Sequence, residues 1–145
     1  MRASLIAVIF LCLSATQAVS DVPETIAQLK QRAQAAKQEK QPKLFLEVAQ
    51  RQLAAAAEAY HKDDVDAGKA AIEDVAAYCE KAGAAANASR KHRKETEITV
   101  RDMARKLEVL RRDLSLEEAE PVQAAISRLE KVRTALLNAM FGPKP

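Results

Sequence analysis

An all-α fold, made of antiparallel helical hairpins and elongated around one long central helix, is predicted by three observations. Alanine fills 30 of the 145 positions, beside abundant Glu, Lys, Gln and Leu, all of them strong helix formers. Aromatic side chains make up only 3% of the chain and β-branched residues are few, which argues against a mainly β structure. Apolar positions recur at steps of three and four over most of the sequence, the spacing of one helix face. Three glycines and no tryptophan exclude collagen-like and glycine-rich chains. The 48% hydrophobic content is too high for wholesale disorder.

Residues 1–20 read as an export signal. Arg2 gives a positive start, Leu5 to Leu13 is an unbroken apolar run, and Thr16-Gln17-Ala18 offers the small-residue pattern a signal peptidase cuts. The apolar run is too short to span a bilayer, which needs about 20 residues. Leu11 stands before Cys12 where lipidation wants a small residue. Cleavage after Ala18 leaves residues 19–145 as a single helical domain with net charge +2. The expected location is exported, periplasmic or extracellular. No later stretch approaches transmembrane length. Cys79 is then the only cysteine, so no intramolecular disulfide is possible; its place on an apolar stripe predicts burial.

The first helix of that domain is expected to start at Asp21, with Pro23 and Glu24 in its opening turn. Its stripe is Val22, Ile26, Leu29, Ala33 and Ala36, and Lys40-Gln41-Pro42 ends it. A second helix opens at Pro42 and aligns Leu46, Ala49, Leu53, Ala56 and Tyr60. Lys62-Asp63-Asp64 closes it, and Asp64 is placed to cap the next. From Ile72 to Leu114 apolar positions alternate three and four residues apart without a slip, a coiled-coil-like seam. The simplest reading is one helix over about 65–114, some 75 Å long at 1.5 Å per residue. The seam weakens at Ala82–Ala88 and turns polar at Arg93 and Thr96, so a reversal near Asn87–His92 is the alternative and would give a compact bundle. Ser115 and Glu118 form a capping-box pattern, although Pro121 offers a second starting point for the last helix. That helix carries Val122, Ala125, Ile126, Leu129, Val132, Leu136 and Met140 and stops at Phe141-Gly142-Pro143. Ala54–Ala57 facing Ala82–Ala86 would allow a close helix approach. The segment from Leu44 to Ala82 resembles one helical hairpin of the tetratricopeptide class, but no second copy follows at a 34-residue offset.

Chemistry-bearing motifs are sparse. The sequence has no Gly-x-Ser-x-Gly elbow, Ser-x-x-Lys, glycine-rich phosphate loop or Cys-x-x-Cys-His haem site. His61 beside Asp63, Asp64 and Asp66 lacks calcium-loop spacing, because Val65 and Ala67 fall where ligands are needed. His61, Cys79 and His92 are too scattered for zinc. These readings predict a non-catalytic protein without metal or cofactor.

Charge segregation is the feature that points to binding. Residues 62–80 carry net −4 and residues 81–114 net +5, with Arg90, Lys91, His92, Arg93 and Lys94 at the centre of the basic half. One expectation is a small exported scaffold or interaction module that associates with itself or a partner helix along the seam. The other is a binder of anionic ligands, anionic surfaces or client polypeptides through residues 90–94. Nucleic acid is not expected, since aromatic residues for base stacking are nearly absent around the patch. The alternative for the patch is a solvated face with ion pairs Glu97–Arg101, Asp102–Lys106 and Glu108–Arg112.

Overall fold

The computed structural model describes residues 22–143, so Ala18 and Asp21 lie outside the described residues. Five helices follow one another: α1 (Ile26–Ala35), α2 (Gln41–His61), α3 (Val65–Ser89), α4 (Arg93–Arg112) and α5 (Leu116–Phe141). They pack on each other as a bundle, with no strand among the described residues.

The caps explain where the helices begin. Asp64 accepts from the Ala67 amide at 3.2 Å and starts α3, as its position suggested. Ser115 and Glu118 exchange the two bonds of a capping box and start α5 at Leu116. Pro121 therefore sits inside α5 rather than opening it; it removes the ladder bond its missing amide would have made and crowds the Glu117 carbonyl four residues back. α1 starts later than expected. Thr25 and Gln28 satisfy each other's amides at 2.9 and 3.2 Å, leaving residues 22–25 non-helical. Glu24 turns instead to a two-pronged ion pair with Arg32, and Val22 is 72% exposed, off the expected apolar stripe.

The 65–114 helix is not continuous. α3 ends at Ser89 and α4 begins at Arg93, so the chain reverses at Arg90–His92. Arg90 and His92 both take left-handed backbone angles, φ 57° and 62°, which only glycine adopts without cost. The elongated shape is accordingly replaced by a bundle. α2 and α3 form one antiparallel hairpin and α4 and α5 the other. α3 packs on α2 along one side and on α5 along the other, while α4 packs on α5 and returns to touch α2. α3 and α5 run parallel: Arg128 of α5 clamps Glu73 and Glu80 of α3 at 2.7 and 2.8 Å, and Val132 lies against Gly83.

Ile72, Val75, Cys79, Ala82, Ala86, Val100, Met103 and Leu107 are buried. The seam is thus consumed inside the bundle, where the apolar area it removes from water stabilises the fold. Phe45 and Tyr78 add a tilted aromatic pair with ring centres 5.9 Å apart. Burial, with Glu80 nearby, pushes the Cys79 thiol up to about 12. Two contacts need glycine. A methyl at Gly68 would stand 2.8 Å from the Tyr60 ring, and one at Gly83 would stand 2.6 Å from Val132 Cγ1. Ala54 and Ala57 do not face α3 as expected; they line a cleft against Met103, Lys106 and Leu110 of α4. Tyr60, a buried side chain whose hydroxyl has no partner among the described residues, continues that cleft beside His61 and Leu114.

Of the expected helical ion pairs, Glu97–Arg101 forms at 3.8 Å. Asp102 pairs with Arg105 rather than Lys106, and Glu108 with Arg111 rather than Arg112. Glu97 is also the buried acid of the bundle. Its carboxylate is 8% exposed and accepts from Arg133 Nε of α5 at 3.0 Å.

The basic end as candidate functional site

The end of the bundle that holds the α3–α4 turn gathers the C-termini of α3 and α5 and the start of α4. Helix C-termini carry partial negative charge, yet neither α3 nor α5 has a basic residue in its own last turn. Arg93 supplies it to both. Its guanidinium donates to the Asn87 carbonyl at 3.0 Å and to the Ala139 carbonyl at 3.4 Å. One side chain from α4 thereby ties the turn to two other helices.

Ser89 shapes the turn from below. Its hydroxyl donates to the Ala85 carbonyl at 2.8 Å and accepts from the Lys91 amide at 3.3 Å. Lys91 reaches Glu39 in the α1–α2 connection at 2.9 Å, and this ammonium holds the Glu39 carboxyl below its usual range. His92 Nδ1 lies 2.6 Å from Glu95 Oε2. Arg90 and Lys94 point outward, and neither meets a carboxylate among the described residues.

The five residues singled out by sequence therefore divide. Arg93 is half-buried and bonded to backbone carbonyls, Lys91 and His92 are each paired with an acid, and Arg90 and Lys94 meet no carboxylate among the described residues. The structure adds residues that the linear sequence could not place here. The Lys91–Glu39 pair draws in the α1–α2 connection, where Lys37 and Lys40 are exposed. Arg93 bonds two residues short of Phe141, whose ring is 79% exposed. No local sequence signal links these groups, because they meet only once the four long helices reverse direction.

The opposite end is acidic. The α2–α3 turn carries Asp63, Asp64 and Asp66, and the α4–α5 turn carries Asp113, Glu117 and Glu118. These acids stand at the N-termini of α3 and α5, where the helix dipole favours them. Lys62, Arg111 and Arg112 share that end, which still keeps an excess of acid opposite the basic turn.

No protein-family model, curated protein or solved structure matches this chain. Its site must be read from its own residues. No group of three or more His, Cys, Asp or Glu side chains is arranged to hold a metal ion among the described residues, and there no helix is long and apolar enough to cross a membrane. The clefts along the helix pairs mix alanine and leucine with arginine, glutamate and other polar side chains. Ser127 and Glu120 share one cleft, where the Ser127 hydroxyl donates to the Gln123 carbonyl at 3.2 Å, and His61 and Asp113 border another.

Proposed function

We propose that this is a small exported, non-catalytic helical protein that docks end-on to an anionic surface, in the first instance a bilayer rich in anionic headgroups. The observation that carries the reading is the Arg93 clamp, which ties the turn bearing the outward Arg90 and Lys94 to the last turns of α5, where Phe141 is exposed. Cations next to an exposed aromatic ring suit a headgroup layer: the charges find phosphates and the ring enters the interface. The acidic far end orients the approach, since it is repelled by the surface that attracts the basic end. The reading as a scaffold with an open seam has less support, because the seam residues are packed within the chain's own bundle.

Co-sedimentation with vesicles tests it. Binding is expected with phosphatidylglycerol-containing vesicles, to weaken as salt rises, and to be absent with phosphatidylcholine alone. Arg90→Gln with Lys94→Gln removes two surface cations worth about 1 kcal/mol each near such a membrane, so affinity should fall about 30-fold. Phe141→Ser should weaken binding further at high salt. Equal binding to both vesicle types, or indifference to these substitutions, refutes the proposal.

A further inference from the structure

Three features of the α3–α4 turn belong together. The apolar seam keeps its three-and-four spacing straight through it, from Ala86 and Ser89 to Arg93, Thr96 and Val100, so a helix running unbroken across residues 89–93 would place every seam residue on one face. The turn that interrupts it is three residues long and contains two side-chain-bearing residues, Arg90 and His92, in left-handed geometry. The chain on either side forms a hairpin whose helices pack on one another, α2 with α3 and α4 with α5. A short strained hinge between two self-packed halves is the arrangement that favours exchange of those halves between chains.

We propose that the protein forms a domain-swapped dimer in which residues 89–93 become helical, α3 and α4 merge into one helix, and the α4–α5 hairpin of each chain packs on the α2–α3 hairpin of its partner. The partner is a second copy of this chain. The contacts between hairpins, including Arg128 with Glu73 and Glu80, Val132 with Gly83 and Met103 with the α2 cleft, are reformed across the pair, so they favour neither state. The balance is set at the hinge. Straightening releases the two left-handed residues and adds helical hydrogen bonds. It also gives up the Arg93 bond to Asn87, while the bond to Ala139 travels with the α4–α5 hairpin, and it brings two basic ends towards one another. Salt screens that repulsion, so the dimer gains at high ionic strength. This inference does not depend on the membrane-docking proposal, which concerns the outward face of the same end.

Refolding from denaturant at high protein concentration, followed by light scattering on the separated species, tests it. Arg90→Gly relaxes the left-handed position in the monomer and disfavours helix through the hinge, so it should weaken the dimer by about a hundredfold. Arg90→Ala with His92→Ala favours the helix without relieving the left-handed turn, and should strengthen it about tenfold. Spin labels at positions 81 and 105 of one chain, diluted with unlabelled protein, should separate to about 36 Å in the dimer, 24 residues at 1.5 Å each. A dimer whose intrachain distance equals the monomer's is ordinary surface association and overturns the proposal. So does a chain that stays monomeric with both alanines in place and in high salt.

Discussion

Replacing Gly83 with alanine is the sharpest test of how α3 and α5 fit together. The new methyl would stand 2.6 Å from Val132 Cγ1, about 1 Å inside ordinary carbon–carbon contact. Val132 cannot swing aside cheaply: it is buried, and a β-branched side chain in a helix has one strongly preferred rotamer. The two helices must separate, and overpacking of this kind costs about 1–3 kcal/mol. Alanine returns about 1 kcal/mol in helix propensity, leaving a net loss of about 1 kcal/mol, or about 4 °C in Tm for a domain this size. With Val132→Ala already present the obstructing methyl is gone. Gly83→Ala should then stabilise by about 1 kcal/mol, a reversal of sign with a coupling of about 2 kcal/mol. Urea unfolding of the four proteins, followed by far-ultraviolet circular dichroism, measures it. A stabilisation of equal size in both backgrounds would mean that α3 and α5 do not meet at Gly83, and the parallel α3–α5 packing would have to be abandoned.

Cys79 gives a pH dependence with a defined sign. Its thiol is pushed up to about 12 in the folded state and titrates near 8.5 when unfolded; its contribution is full below about 8.5 and is lost as pH climbs towards 12, by up to about 1.4 kcal/mol per unit. Cys79→Ala should lose less stability than wild type between pH 8 and 10, and parallel pH profiles would contradict the burial. Arg133→Met strands the buried Glu97 carboxylate with only Arg101, 3.8 Å away, beside it. A loss of about 2–3 kcal/mol is expected in urea titrations, partly recovered when Glu97→Gln is added; a neutral single variant would show that the carboxylate is hydrated rather than buried.

Much of the fold is written in the sequence because helical stripes and caps are local. The α2 stripe from Leu46 to Tyr60 and the α5 stripe from Val122 to Leu136 are buried where periodicity put them, and Asp64 and Ser115 cap where their spacing suggested. The reversal at Arg90–His92 is hidden for a specific reason. Its three residues are just enough to carry the three-and-four rhythm across the gap, and its left-handed positions hold Arg and His rather than Gly. The polar Arg93 and Thr96 were the available hint. Glu97 reads as half of a surface pair with Arg101, and its burial is not legible because its partner Arg133 lies 36 residues away on another helix. The basic end was legible as charge but not as architecture: residues 90–94 stand out in the chain, whereas Phe141, Lys37 and Lys40 join them only through the folded topology.

α1 stands apart from the ring formed by the four longer helices. Among the described residues it buries Leu29 and Ala33, packs its backbone closely on α2, and reaches α3 through Lys30, with Arg51 of α2 holding the Glu24 carbonyl. Such a short element can open without dismantling the rest, and local openings of this sort lie well below the global unfolding free energy. Its amides should therefore exchange with solvent ahead of those of α2–α5. A protease given limited time would cut first in the Ala36–Lys40 connection and leave a four-helix remnant with the Tyr78 ring, over which Lys30 lies, newly open to water.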